Sequence, residues 1–134
     1  GCDGTYGQDF LDRTGKNGEG AYAVSLTPAD TDPKVKFDKA YEAAYGMKPG
    51  TLSPFTWNGY DVVAALISQV KAVAILGTDG NLYVPRGALV TAVRNLKDYQ
   101  GLTGKFTCDA KGECNASGPI FVVIKDGKWT VAAQ

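Results

Sequence analysis

The sequence predicts an α/β chain, with helices laid on a partial sheet and a β-meander at the C-terminal end. Three observations predict it. A short run near the start, Ala21-Tyr22-Ala23-Val24-Ser25-Leu26, carries small and apolar residues on both faces, as a buried strand does. Several later segments repeat their apolar residues at helical spacing between start and stop signals. The tail alternates short apolar runs with turn residues, including Asp126-Gly127, the strongest short hairpin signal.

In chain order, Gly1 to Gly4 is a loop, and Tyr6 to Arg13 is expected to form a short helix with Phe10 and Leu11 inward. Gly15 to Gly20 is a glycine-rich connection to the strand at 21–26, which is expected to join a mostly parallel sheet. After a linker at 27–31, Asp32 as N-cap and Pro33 at the first helical position open a helix that stops at Gly46. Phe37, Ala40, Tyr41, Ala44 and Tyr45 share its apolar face, and Lys34, Asp38, Lys39 and Glu42 its polar one. Residues 47–54 are irregular. A long helix follows from about Thr56 to Ile75, with Tyr60, Val63, Ala64, Ile67, Val70 and Ala74 as its inward stripe. Residues 77–81 turn, and Pro85 starts a further helix with Leu89, Ala92, Val93 and Leu96 inward. Lys105 to Cys108, Ile120 to Lys125 and Lys128 to Val131 are strands. There is no internal repeat and no low-complexity tract.

Composition excludes several classes of function. Lysine plus arginine equals aspartate plus glutamate at 14 each, so no basic excess points to nucleic acid or an anionic membrane. Histidine is absent, which removes His-based triads and the commonest zinc ligand. The most apolar run, Val62 to Leu76, is too short and too polar for a bilayer. No signal peptide is visible. The opening Gly1-Cys2-Asp3-Gly4 is turn chemistry with no lead-in element, so the chain is expected to be cut from a longer protein. The glycine-rich stretch at 15–20 neither follows a strand nor opens a helix as a phosphate loop does. Asp109 to Glu113 lacks the ligand alternation of a calcium loop and reads as a turn. No metal site and no cofactor are expected. Asn115-Ala116-Ser117 fits a glycosylation acceptor, a match expected by chance.

Cys108 and Cys114 flank that turn. Paired across a hairpin they would form a disulfide, adding on the order of 2 kcal/mol through so short a loop and implying an oxidising compartment. The alternative is two unpaired surface thiols. Cys2 is left over, and its partner, if it has one, would lie upstream.

Five segments in order carry a resemblance to a known family. Gly1-Cys2-Asp3-Gly4 with Gly18 to Ser25 resembles the last part of the C-terminal lobe of Leu/Ile/Val-type binding proteins. Phe37 to Gly46 (FDKAYEAAYG) is similar to that family's "F…AY…YG" helix, and Pro54 to Asp61 to its "P…YDA" helix start. Gly101 to Thr107, with Asp109 and Gly112, is similar to its "G.TG…F…G" hairpin, and Lys125 to Trp129 to its closing "KDGKW". The resemblance covers the whole chain and points to the C-terminal part of a two-lobed type I periplasmic-binding-protein fold from the branched-chain amino acid ABC-transporter substrate-binding family. It implies that residues 1–26 end one ligand-binding lobe, 27–31 lie near a hinge crossing, and 32–134 belong to the other lobe.

The resemblance also names site residues. Asp3 stands where the family places an acidic residue that holds a ligand's α-ammonium; Leu-binding members carry Glu there, one methylene longer. Phe55 stands where an aromatic residue walls the ligand's side-chain pocket, which favours apolar side chains through buried area. Tyr6 edges the same cleft, and Trp57 shares the Phe55 segment, with packing as the competing role for both. The implied function is extracytoplasmic capture of a branched-chain or other small amino acid and delivery to an ABC permease, without bond making or breaking. The location would be the periplasm or another extracytoplasmic space, with a lipid anchor upstream as an option. A ligand-sensing ectodomain of the same fold, taking an amide or other small metabolite, is the alternative; an enzyme is disfavoured by the missing nucleophile motif. Unpaired apolar faces on the strand at 21–26 and on the long helix also predict a homodimer of this chain.

Overall fold

Residues 120–131 form the strand pair that the tail pattern predicts. The computed structural model, which describes residues 1–114 and 119–132, places β6 (Ile120–Lys125) against β7 (Lys128–Val131) in antiparallel register, with Ile124 opposite Trp129. The turn between them has positive φ at Asp126 and Gly127, 51° and 69°, as a tight hairpin requires. Its two amides donate to the carboxylate of Glu19 at 3.0 and 3.3 Å. The other edge of β6 pairs antiparallel with β1 (Tyr22–Ser25), Tyr22 opposite Val123. The sheet order is β1-β6-β7. As the middle strand, β6 is covered on both faces, and Val122, Val123 and Ile124 are all buried.

This pairing differs from the expected parallel sheet. Small buried residues at Ala23 and Ser25 fit an antiparallel neighbour equally well, and the alternation of burial along β1, with Tyr22 exposed, is that of a strand open on one side. The sheet also joins residues 22–25 to 120–131, which the sequence reading sets on opposite sides of the linker at 27–31.

Two units make up the chain: Gly1–Trp57 with Gly118–Gln134, and Asn58–Ser117. In the first, α1 (Gln8–Thr14) follows a 3-10 turn at Asp3–Thr5, and a second 3-10 turn at Gly15–Gly18 leads to β1. α2 spans Asp32–Tyr45 and ends at Gly46, whose φ is 69°. Its cap is Thr31, one residue before the expected Asp32: the Thr31 hydroxyl accepts from the Lys34 amide at 3.4 Å. Lys34 itself is buried, contrary to its expected place on the solvent face.

α3 (Thr56–Val73) begins in the first unit and continues in the second. The stripe expected to face inward is largely open, with Tyr60, Val63 and Ile67 exposed at 49%, 56% and 48%. The buried positions are Trp57, Asp61 and Ala65, one turn apart on another face. Helical spacing of apolar residues shows a stripe but not what covers it, and among the described residues the second unit packs on the Asp61–Ala65 side. There Ala65, Leu96 and Cys108 form a small core, with Tyr99 and Phe106 packed against it, their ring centroids 5.1 Å apart and their planes tilted by 45°.

The rest of the second unit is built from short pieces. β2 (Ile75–Leu76) and β3 (Leu82–Tyr83) form a hairpin, α4 spans Arg86–Arg94 with Pro85 as its N-cap, and β4 (Tyr99–Gly101) pairs with β5 (Gly104–Phe106). Cys108 and Cys114 are joined by a disulfide around the turn at 109–113, where Asp109 Oδ1 accepts from the amides of Lys111 and Glu113 at 2.8 and 2.9 Å. Among the described residues no helix is long and apolar enough to cross a membrane. The acceptor-like Asn115-Ala116-Ser117 lies outside the described residues.

Candidate functional site

Aspartate and tyrosine are brought together at the N-terminal end of the first unit. Asp3 opens the 3-10 turn, half-buried, and its carbonyl accepts from the Tyr6 amide at 3.0 Å. Tyr6 leaves the turn extended and lays its ring 5.6 Å from that of Trp129. Phe10, on α1, approaches the same indole at 5.8 Å, and Trp129 Nε1 donates to the Gly7 carbonyl at 3.1 Å. Trp129 therefore fixes the segment that carries Asp3. It entered the sequence reading only as part of a closing motif, because its partners lie more than a hundred residues away.

Tyr6 and Trp129 also line a cleft of about 390 Å³ with Ser25, Thr27, Ile120 and Val122. Ser25 is buried, and its hydroxyl accepts from the Thr27 amide at 3.1 Å, which shapes the start of the 27–31 linker. Aromatic and aliphatic walls with a few hydroxyls are the chemistry of a small-molecule cleft.

Phe55 and Trp57 stand at the head of α3 and differ in exposure. Phe55 keeps 47% of its surface open. Trp57 is buried at 4%. Its Nε1 donates to Asp38 Oδ1 at 2.7 Å, and the Lys34 ammonium sits 5.1 Å from its ring centroid. That ammonium also pairs with Asp30 at 2.7 Å and Asp38 at 2.8 Å. Burial opposes its charge, but the hydrogen bonds to Asp30 and Asp38 outweigh it and raise its pKa above the ordinary lysine value. Trp57 and Lys34 border a second cleft of about 370 Å³, and Asp30 lines both clefts. The i,i+4 spacing of Asp30, Lys34 and Asp38 was a signal available in the sequence.

One further buried carboxylate escaped the sequence reading. Asp61, 2% exposed, accepts from the amides of Leu102 and Thr103 at 2.7 and 2.8 Å and from the Thr103 hydroxyl at 2.7 Å. It is tied up in holding the β4–β5 turn. Among the described residues no group of three or more His, Cys, Asp or Glu side chains could hold a metal ion.

The chain thus places Tyr6 beside one cleft and Trp57 beside the other, with Asp3 and Phe55 lining neither. Comparison with known proteins gives it a class. No family model and no curated protein matches the chain. Solved structures do. A leucine-binding protein, LivK, of Thermotoga maritima matches 98% of this chain with 35% of its own, at TM-score 0.74 and 20% identity. A Rhodospirillum rubrum protein assigned to branched-chain amino acid ABC transport matches 98% with 36% of its own, at TM-score 0.67 and 29% identity. A solute-binding protein of Rhodopseudomonas palustris, solved with benzoate, matches 90% with 31% of its own, at TM-score 0.63 and 26% identity. The fold is thus part of a type I periplasmic-binding-protein fold, and the structures it resembles are substrate-binding proteins of ABC transporters for branched-chain amino acids and related solutes. The chain spans about 35% of the length of the Thermotoga protein.

Proposed function

We propose that this chain is the C-terminal part of an extracytoplasmic solute-binding protein that captures a branched-chain or other small amino acid between two lobes for an ABC permease. The observation that carries the reading is the match of 98% of the chain to binding proteins of that class, with 29% identity to one of them. In this reading Asp3 takes the ligand ammonium and Phe55 walls its side chain. A carboxylate in a closed, water-poor cleft gains about 1.5–3 kcal/mol for each well-formed bond to ammonium. Closure is a population shift, because a ligand touching both lobes favours the closed state. Nothing is turned over.

The benzoate complex at 26% identity favours a second reading, in which the solute is a small aromatic acid. The two separate on charge. An amino acid needs the Asp3 carboxylate, whereas an acid without an ammonium is repelled by it. Thermal-shift titration of the full-length protein with leucine, isoleucine, valine and benzoate, repeated with Asp3→Asn, decides between them. A ligand at about 100 times its Kd adds about 2.7 kcal/mol to stability. Amino-acid stabilisation that Asp3→Asn abolishes supports the first reading; benzoate stabilisation that survives or grows in the variant supports the second. No response to any of the four overturns both the branched-chain and the benzoate reading.

A further inference from the structure

We infer that Lys34 is a positioning residue for Phe55, acting through Trp57 to set the aromatic wall at the head of α3. Three segments converge on its ammonium. Asp30 belongs to the linker between β1 and α2, Asp38 to the next turn of α2, and Trp57 to the start of α3. The Lys34 side chain is 8% exposed and Asp38 27%, so that pair is largely shielded from water and salt, whereas Asp30, at 77%, is open to solvent. Asp38 then serves two donors, the ammonium and the indole N–H, which fixes the rotation of the Trp57 ring.

The connection from α2 to α3 folds onto that ring. At Gly50, whose φ is 85°, a Cβ would lie 2.8 Å from Trp57 Cη2, so the backbone touches the indole and a side chain is excluded. The connection is then bonded to itself. The Gly50 amide donates to Thr56 Oγ1 at 3.2 Å, the Thr56 hydroxyl donates to the Ser53 carbonyl at 2.9 Å, and the Phe55 amide donates to Ser53 Oγ at 3.2 Å. Phe55 sits inside this bonded loop, two residues from Trp57. Packing holds the Phe55 ring only partly, since nearly half of it is open. Its position is inherited from the Trp57 anchor, and the anchor from the Lys34 charge. The ligand-binding consequence rests on the solute-binding reading above; the anchoring does not.

The test uses Lys34→Met, which keeps most of the stem and removes the charge, with Phe55→Ala and the double variant. Hydrogen exchange reads the anchoring without any ligand. The amides of Gly50 and Phe55 are expected to exchange about 10-fold faster in Lys34→Met, with those of Val122 and Val123 unchanged. Unaltered exchange at Gly50 and Phe55 overturns the inference, as does an equal rise at all four. If Lys34→Met does not fold, Asp30→Asn removes one counter-charge from an exposed position, with an expected rise of about 3-fold at the same two amides; no rise again overturns it. Calorimetric titration with leucine reads the consequence. Kd is expected to rise about 5-fold in Lys34→Met and to show no further rise when Phe55 is already alanine, whereas equal losses in both backgrounds refute action through Phe55. If the unsubstituted protein binds no amino acid, the solute reading fails and the exchange comparison still decides the anchoring.

Discussion

Removing the Asp61 carboxylate is expected to loosen the second unit. The side chain is 2% exposed and accepts three short hydrogen bonds from Leu102 and Thr103. Bonds to a charged acceptor contribute about 1.5–3 kcal/mol each, so three amount to roughly 4.5–9 kcal/mol gross. Burying the carboxylate costs several kcal/mol, which Asp61→Ala returns. The net loss is then about 3 kcal/mol, a large share of the stability of a chain this size. Asp61→Asn keeps the shape and one acceptor oxygen but turns donors toward donors, and about half that loss is expected. Gly101 supplies an internal control, since a Cβ there would lie 2.4 Å from Asp61 Oδ2. Gly101→Ala should therefore be costly alone and much cheaper beside Asp61→Ala, a coupling that a double-mutant cycle measures. Urea unfolding followed by circular dichroism, with exchange of the Leu102 and Thr103 amides, is the assay. If Asp61→Ala lies within about 0.5 kcal/mol of the unsubstituted chain, the turn is held by something else and the reasoning fails.

Other consequences can be checked as directly. The Tyr83 hydroxyl at 2.6 Å and the Asn81 side chain and amide hold the Asp79 carboxyl down to about 2 from its ordinary 3.8. Because the folded pKa is the lower, this contribution to stability is fully present above pH 3.8 and is lost as pH falls towards 2. NMR titration should find the Asp79 midpoint there, and Tyr83→Phe should move it up. Replacing Cys108 and Cys114 by serine is expected to lower stability by about 2 kcal/mol, read by denaturant midpoint. The open stripe of Tyr60, Val63 and Ile67, with Ile75, Leu76, Leu82 and Tyr83 on the adjoining hairpin, predicts self-association of the isolated chain. Light scattering should give twice the monomer mass, and Val63→Lys with Ile67→Lys should return it to the monomer.

The sequence was informative where structure is local. Pro33, Gly46, Pro85 and Asp126-Gly127 marked helix starts, a helix stop and a turn because each acts through its own backbone. It was silent where partners are distant. Asp61 meets Leu102 across 41 positions, and Trp129 meets Gly7 across 122, distances at which spacing carries no information. The inward face of α3 was misread for a related reason: two stripes share the helix, and the one containing a carboxylate proved to be buried. Lys34 was legible, at four residues from each of two aspartates, but charge on a helix reads as solvent-facing until an indole is known to cover it. At the candidate site, Asp3 and Phe55 came from resemblance, and Trp57 was named with them, whereas the contacts of Trp57 with Asp38 and of Trp129 with Gly7 came from the structure.

The sheet imposes an order on how this chain can assemble. β1 lies near the start and its partner β6 near the end, so the first unit is discontinuous while residues 58–117 form an uninterrupted stretch. During synthesis that inner stretch leaves the ribosome whole while β1 still waits for its neighbour. It can close its small core first, and its closure shortens the entropic distance between the two outer pieces. The Asp3 turn would then set late, because the indole that clamps it is made more than a hundred residues after it. A chain stalled before Trp129 would present a folded insert with an unformed ligand loop, exposing an unpaired edge to the quality-control machinery of the cell.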